Sequence, residues 1–139
     1  MIVLDTNVIS ELMRPIPSTQ VVRWVTNQPA TGLFTTAITE AEIFYGLELL
    51  TKGKRRAGLE AAAEAMFADD FAGRVIGFDS QAARAFATIA ARRRALGKPI
   101  SHSDAQIAAI AQLYGAALAT RDVADFEGCD IRLIDPWAE

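Results

Sequence analysis

The chain has 139 residues, of which 51% are hydrophobic and 22% charged, and its formal net charge is −3. This length and composition suit one compact domain with its own core, which we expect to span residues 1–139, and they argue against a disordered chain. No run of about 18 apolar residues predicts a membrane-spanning helix, and Asp5 interrupts the apolar start too early for a signal peptide. The only cysteine, Cys129, excludes an internal disulfide and a cysteine-based zinc site. We therefore expect a cytoplasmic protein with no membrane partner.

Short apolar segments alternate with helical patterns in the first half of the chain. The pattern predicts a strand over Ile2–Leu4, a helix over Asn7–Met13, a helix from the N-cap Ser18 to about Gln28, a strand over GLFTTAI (residues 32–38) and a helix over Thr39–Leu50. Pro15 and Pro17 should end the first helix. Val21, Val22 and Val25 are expected to face inward from the second.

The same alternation continues in the second half. It predicts helices over about Lys54–Phe71, Ser80–Leu96 and Ser103–Tyr114, and strands over RVIGF (74–78), AALAT (116–120) and IRLID (131–135). Gly97 and Gly115 each suit the end of a helix. Such an order favours an α/β fold with a mostly parallel sheet covered by helices on both faces.

Four acidic residues should meet at one edge of this sheet. Asp5 follows the first strand, Asp122 lies two residues past AALAT, and Glu42 and Asp104 each lie in the first turn of a predicted helix. Open parallel sheets bind their ligands beyond the carboxyl ends of the strands. The four carboxylates can therefore converge although nearly 120 residues separate the first from the last.

Each acid also has a local explanation. Thr39–Glu42 has the form of a capping box, Asp104 suits the positive end of a helix dipole, and Asp122 suits a turn. Asp5 is the hardest to explain in this way, because a carboxylate at the end of a buried strand is costly without a partner.

A divalent cation would relieve the repulsion between clustered acids. An all-oxygen ligand set suits Mg²⁺ or Mn²⁺, and the single histidine, His102, excludes a histidine-rich centre. The sequence contains no P-loop and no G-x-G-x-x-G motif, which disfavours nucleotide binding as the main role. Metal-assisted hydrolysis of a phosphodiester is the chemistry that remains.

Basic residues are concentrated in two short clusters. Eight of the 14 lysines and arginines lie there, namely Lys52, Lys54, Arg55, Arg56, Arg92, Arg93, Arg94 and Lys98. They can be solvated helix ends or phosphate-contacting patches beside an acidic site. Composition alone leaves both interpretations open.

Four blocks of sequence together resemble the PIN-domain ribonucleases, and more narrowly the VapC-type toxins of bacterial type II toxin–antitoxin pairs. The blocks are MIVLDTNVISEL, TTAITEAEIFYGL, ISHSDAQIAAIA and the C-terminal LATRDVADFEG with IRLIDPW. They cover nearly the whole chain in the family's order and spacing. The resemblance implies a parallel sheet of about five strands between helices.

The resemblance also implies the site and the partners. Asp5, Glu42 and Asp104 match the family's three metal-binding and catalytic acids, and Asp122 matches a fourth position. This subgroup often carries Asn at the fourth position, which leaves open a direct metal role for Asp122 and the number of ions. Matching polar positions that support the acids are Thr6, Asn7 and Thr120. Family members generally form homodimers, cleave structured RNA and are inhibited by a small antitoxin, in complexes that can bind operator DNA.

Other enzyme families and a non-enzymatic module are the alternatives to this function. A haloacid-dehalogenase phosphatase needs a second Asp where Asn7 stands, and a two-component receiver domain needs a late lysine, whereas none follows Lys98. A catalytically inactive PIN-like binding module is the non-enzymatic alternative. The large apolar residues of IFYGLELL, including Phe44 and Tyr45, together with the helix near Ser18 to Gln28, predict a groove for an antitoxin helix.

Overall fold

A computed structural model describes all residues from 1 to 139. Its strands are β1 (Ile2–Leu4), β2 (Leu33–Thr36), β3 (Val75–Ile76), β4 (Ala117–Ala119) and β5 (Leu133–Ile134), and its helices are α1 (Thr6–Leu12), α2 (Thr19–Thr26), α3 (Ala37–Glu48), α4 (Lys54–Ala65), α5 (Ser80–Ala95) and α6 (His102–Leu113). The five strands form one sheet in the order β3-β2-β1-β4-β5, with every pair parallel. The predicted α/β fold is confirmed.

Two hydrophobic cores lie on opposite faces of the sheet. Successive residues of a strand point to opposite faces, and Leu4 accordingly packs in one core while Val3 packs in the other. The first core includes residues of α1 to α4, such as Ile43 and Ala63. The second includes residues of α5 and α6, such as Ile89 and Ile107. The protein is thus a sheet between two layers of helices.

The sheet order places a crevice at the carboxyl ends of β1 and β4. The chain leaves β1 for β2 on one side, and later returns to β4 on the other side, with Leu4 paired with Ala119. A reversal of strand order of this kind opens a binding crevice in doubly wound sheets. Asp5 stands directly at this point.

Several element boundaries differ from the prediction. The second strand ends at Thr36, and Ala37 and Ile38 belong to α3. The fourth helix leaves α-helical geometry at Ala65 and continues as a π-helical turn over Met66–Asp70. In α2 the fully buried positions are Val21 and Trp24, whereas Val22 and Val25 are half-buried. A 3-10 helix over Val123–Phe126 was not predicted.

The predicted helix ends at glycine are confirmed. Gly97 and Gly115 have φ of 74° and 62°, a conformation that residues with a Cβ rarely adopt. Beyond Gly115 the Ala116 N–H donates to the Ala111 carbonyl at 2.9 Å, which closes the end of α6. None of the six helices combines the length and apolar character required to span a bilayer.

Candidate active site

The predicted acids line one cleft of about 470 Å³ at the carboxyl edge of the sheet. Its walls are formed by Asp5, Thr6, Asn7, Ser10, Glu11, Arg14, Glu42, Asp104, Arg121, Asp122 and Trp137. All four predicted acids are in this set, as are Thr6 and Asn7. Thr120 lies fully buried beneath it.

Asp5 occupies the floor of the cleft as the N-cap of α1. Its Oδ1 accepts the Thr6 backbone N–H at 2.8 Å, and its Oδ2 accepts the Thr120 hydroxyl at 2.8 Å and the Asn7 side-chain amide at 3.3 Å. All three donors are neutral, and the side chain is only 4% exposed. The carboxylate is hydrogen-bonded but has no positively charged partner.

Glu42 lies on α3 and is linked to the β1 side of the cleft by Thr6, the residue after Asp5. The Thr6 hydroxyl donates to Glu42 Oε1 at 2.7 Å and lies 3.0 Å from the Thr39 hydroxyl. The capping-box explanation of Glu42 is wrong, because α3 begins two residues earlier and its N-cap is Thr36, whose hydroxyl accepts the Thr39 N–H. Glu42 is therefore free of a capping role and points toward the cleft.

Asp104 approaches from the first turn of α6. The N-cap of this helix is Ser101, whose hydroxyl accepts the Asp104 backbone N–H at 3.2 Å. The position also suits the helix dipole, as expected. Asp104 can therefore interact with the helix dipole and also line the cleft, since it lies at the helix end that points to the other acids.

Asn7 joins the loops that follow β1 and β4. Its amide nitrogen lies 3.1 Å from Asp122 Oδ2 and 3.3 Å from Thr120 Oγ1, and its Oδ1 accepts the Arg121 backbone N–H at 3.3 Å. Asp122 precedes the 3-10 helix without capping it through its side chain. The side chain of Asp122 is thus held by the site rather than by a turn.

Burial and mutual repulsion weaken the acidity of two of the acids. Burial raises the pKa of Asp5 from its ordinary 3.8 to about 6, and the charges of Asp104 and Glu42 add to the rise, while the hydrogen bonds from Thr120 and Thr6 oppose it. The pKa of Asp104 is also raised, mainly by burial, with contributions from the charges of Glu42, Asp125 and Asp122. Both carboxyl groups are therefore protonated more readily than exposed ones.

The donor chemistry fits a hard divalent cation. Carboxylate oxygens predominate, and no cysteine or histidine lines the cleft. In the present side-chain positions no three acidic, histidine or cysteine side chains converge on one point that could hold an ion. Mg²⁺ commonly uses only one or two carboxylates and completes its shell with water and substrate phosphate. The cleft suits such a loosely held ion better than an all-protein cage.

Five residues of the cleft were not predicted from the sequence: Ser10, Glu11, Arg14, Arg121 and Trp137. Glu11 is buried and has a structural role, since it accepts the Ser18 backbone N–H at 2.9 Å and pairs with Arg14 at 3.4 Å. Ser10 lies one turn along α1 from Thr6, and this spacing could have identified it as a cleft residue. No local signal identified Trp137.

The remaining candidates lie outside the cleft. His102 contacts the Phe86 ring edge-on, with 5.6 Å between the ring centroids. Arg56 pairs with Glu60 and Glu48, and Arg93 is buried and donates to the carbonyl of Asp125. Each basic cluster therefore contains at least one arginine with a structural role.

Two curated relatives match almost the whole chain. The VapC ribonuclease Y4jK of Sinorhizobium fredii is 42% identical over 137 residues, which is 99% of this chain and 98% of the relative. Toxin FitB of Neisseria gonorrhoeae is 39% identical and covers 99% of both chains.

Solved structures show the same fold. The structure of FitAB bound to an IR36 DNA fragment contains a chain that superposes with a TM-score of 0.91 at 39% identity, covering 99% of this chain and 96% of that one. The DNA-bound VapBC of Salmonella typhimurium gives a TM-score of 0.79 at 28% identity, with 97% of each chain covered. The PIN domain family model matches residues 2–128, a range that contains all four acids. On its sequence, its fold and the range that the family model matches, this chain belongs to the PIN-domain family.

Proposed function

We propose that this protein is a metal-dependent endoribonuclease, the toxin of a type II toxin–antitoxin pair, which acts in the cytoplasm. The observation that carries the proposal is the meeting of Asp5, Glu42, Asp104 and Asp122 in one cleft at the point where the strand order reverses. The similarity to a VapC ribonuclease and to toxin FitB supports both the reaction and the role.

The proposed reaction is hydrolysis of an RNA phosphodiester bond. A bound Mg²⁺ or Mn²⁺ would supply Lewis acidity and a lowered pKa for water. Asp5, Glu42 and Asp104 would hold the ion, and Asp122 is a further candidate ligand. Hydrogen bonds from Thr6, Asn7 and Thr120 would hold Glu42, Asp122 and Asp5, respectively, in place.

Neutralising single acids tests this proposal. Asp5→Asn, Glu42→Gln and Asp104→Asn should each lower the rate of RNA cleavage by at least about a hundredfold and abolish growth arrest. Combining them should add little, because residues that act as a unit are not additive. Cleavage is measured on purified protein with Mg²⁺ or Mn²⁺ and labelled RNA.

Glu40→Gln is the matched control for Glu42→Gln. Glu40 lies two residues earlier on α3 and does not line the cleft, so its replacement should leave the rate unchanged. Cleavage at the wild-type rate by Asp104→Asn, or cleavage that persists in EDTA, is incompatible with the proposal.

We propose that the antitoxin binds a groove of about 790 Å³ between α1, α3 and α4, next to the cleft. Its apolar walls include Ile43, Leu47 and Leu59, and it shares Thr6, Ser10, Arg14 and Glu42 with the acidic cleft. A helix docked there could direct a basic side chain at the acids and compete with the ion.

The groove differs from the one predicted from sequence. Phe44 packs inside the molecule against Phe67, with ring centroids 5.9 Å apart, and Tyr45 is 67% exposed outside the groove. No residue of α2 lines it. The docking surface on α3 is therefore the face of Ile43, Gly46 and Leu47.

Filling the groove tests its role. Gly46 lines the groove, and a Cβ added there meets no atom within 4 Å. Gly46→Leu should leave the fold intact and weaken antitoxin binding at least about tenfold, because the leucine occupies the antitoxin's place. Binding is measured by calorimetry with the antitoxin expected from the neighbouring reading frame. Tyr45→Ala is the control outside the groove, and equal affinities for all three proteins would exclude this placement.

We further propose a homodimer whose complex with the antitoxin binds operator DNA. Support comes from FitAB and from VapBC of Salmonella typhimurium, both of which were solved bound to DNA. Sedimentation of the free protein and of the complex, with and without upstream DNA, tests both points.

An inactive binding module is the second candidate function. It is favoured by one observation, namely that no three acids converge on one point in this structure. RNA binding without cleavage in either Mg²⁺ or Mn²⁺ would establish it.

A further inference from the structure

Arg121 is a cation of the acidic cleft that has no carboxylate partner. Five carboxylates and two arginines line the cleft. Arg14 pairs with Glu11, whereas Arg121 forms no ion pair and its guanidinium lies over the Trp137 ring, 5.0 Å from the centroid. An arginine that rests on an aromatic face keeps its N–H donors available to another ligand.

The backbone holds both members of this pair in place. The Arg121 N–H donates to Asn7 Oδ1 at 3.3 Å, so the residue is tied to the loop that carries Asp5. The Trp137 N–H donates to Asp135 Oδ1 at 2.9 Å, and its ring packs against the core next to α1 to α4. One face of the indole is thus supported by the protein, and the other carries the exposed guanidinium.

We propose that Arg121 and Trp137 form a clamp for one nucleotide of the RNA substrate; this inference rests on the proposed function. The N–H edge of Arg121 binds a phosphate, and the outer face of its guanidinium stacks on the adjacent base, with Trp137 as the support. RNA bases stack on guanidinium planes as well as on aromatic rings. A polyanion that enters a cleft of five acids needs such a cation at the rim, because the acids alone repel it. Arg121 and Trp137 are positioning residues in this arrangement.

Equilibrium binding tests the clamp apart from catalysis. The probes are fluorescein-labelled 12-nucleotide single strands of mixed sequence, one RNA and one DNA, in EDTA so that they remain intact. Arg121→Ala should weaken binding roughly 5- to 100-fold, the range found when one stacking contact is removed. Because one phosphate contact is lost, the plot of log K against log salt concentration should also become less steep, by about 0.7. Arg121→Lys should leave the salt dependence of binding unchanged but lose most of the affinity, because lysine keeps the charge but has no planar group on which a base can stack. Arg132→Ala, an exposed arginine at the opposite edge of the sheet, is the matched control.

Tryptophan emission reports on the clamp directly. Trp24 and Trp137 are the only tryptophans, and Trp24 is buried, so a Trp24→Phe protein leaves Trp137 as the sole reporter. Binding of either probe should shift the Trp137 emission to the blue, since a nucleotide stacked on the Arg121 guanidinium excludes water from the indole beneath it. Trp137→Leu should weaken binding as Arg121→Ala does, and Trp137→Phe should restore most of it. With Mg²⁺ and cleavable RNA, Arg121→Ala should raise KM while kcat changes less than about threefold.

The outcomes separate the clamp from the proposed function. Probe binding that depends on Arg121 without RNA cleavage supports the clamp and refutes the nuclease. If the protein cleaves RNA, and Arg121→Ala changes neither KM nor the probe affinity nor its salt dependence, the clamp alone is refuted. Failure of the wild-type protein to bind either probe in EDTA refutes the clamp and leaves the nuclease untouched, because the proposed nuclease also uses its ion to bind phosphate. A melting temperature lowered by Arg121→Ala with unchanged binding shows a purely structural contact and also refutes the clamp.

Discussion

At the scale of single residues, Asp5 is a carboxylate held by neutral donors. Three hydrogen bonds satisfy its oxygens, yet burial raises its pKa to about 6. Hydrogen bonds from a backbone amide, a hydroxyl and an amide side chain offset only part of the free energy that the charge loses when it leaves water. The ionised side chain therefore destabilises the metal-free protein.

Stability of the metal-free protein should fall as pH rises through the window from about 4 to 6. The folded pKa of Asp5 lies above its unfolded value, so the native state binds more protons there and the free energy of unfolding decreases with pH. The shift of about two units sets an upper limit of about 3 kcal/mol. Asp104, whose pKa is also raised, contributes in the same direction.

Asp5→Asn isolates the contribution of this residue. The difference in unfolding free energy between the variant and the wild-type protein should favour the variant by about 1 to 2 kcal/mol more at pH 7.5 than at pH 4.5, because about a third of the effect is already present at pH 4.5. Urea unfolding in EDTA at the two pH values measures it. If the two proteins differ in unfolding free energy by the same amount at both pH values, Asp5 keeps an ordinary pKa.

At the scale of elements, α6 carries Asp104 on a helix packed closely through small side chains. Ala105, Ala108, Ala109 and Ala111 are all fully buried in this helix. Alanine lets a helix approach its neighbours closely, and a filled interior leaves no room for larger groups. The position of Asp104 therefore depends on the small size of residues within about two turns of it along α6.

Enlarging one of these alanines should displace the helix. Ala108→Leu is expected to lower stability by about 1 to 3 kcal/mol, the usual cost of overpacking, and to reduce RNA cleavage at temperatures where the protein remains folded. Thermal melts and cleavage rates measure the two effects. Ala87→Leu on the exposed face of α5 is the control and should change neither. A fully stable and active Ala108→Leu protein would mean that α6 adapts without moving Asp104.

The sequence predicted the elements well because their signals are local. Strands, helix-ending glycines and the N-cap Ser18 follow from alternation and capping chemistry within a few residues. The end of β2 was placed two residues late, because Thr35 and Thr36 favour strands while the Thr36 hydroxyl in fact caps α3. The π-helical turn after Ala65 has no signal in the apolar pattern.

The site was predictable where topology alone brings residues together. The four acids follow strand ends or begin helices at one edge, so the parallel sheet places them together whatever the side-chain details. Arg121 and Trp137 were missed because their contact depends on how the segment after β5 folds over the cleft. No local pattern specifies a contact of that kind.

At the scale of the whole molecule, the cleft is the seam between the two halves of the sheet. The junction of β1 and α1 supplies Asp5 and Asn7, and the loop after β4 supplies Thr120 and Asp122. An ion held between these loops would bind the folded protein and not the unfolded chain. Such binding stabilises the native state by an amount that depends on the ion concentration relative to its dissociation constant.

Divalent ions should therefore raise the melting temperature. Mg²⁺ or Mn²⁺ at constant ionic strength should raise it by roughly 2 to 6 °C, which corresponds to about 1 to 2 kcal/mol for a domain of this size. Asp5→Asn should remove most of the rise. Differential scanning calorimetry measures the melting temperature, with the protein in EDTA as the metal-free control. A wild-type melting temperature indifferent to both ions would refute metal binding in the free protein.

The hydrogen bonds that join Asp5 and Asn7 to Thr120 and Asp122 span 113 to 115 positions of the sequence. A ribosome therefore translates Asp5 and Asn7 long before it reaches Thr120 and Asp122. Until β4 has been made and has paired with β1, Asp5 has only its neighbours Thr6 and Asn7 as donors and lacks the Thr120 hydroxyl. The cleft cannot assemble on a growing polypeptide, and a fragment released early from translation lacks it. The order of synthesis thus keeps the two sides of the cleft from meeting until β4 has been made.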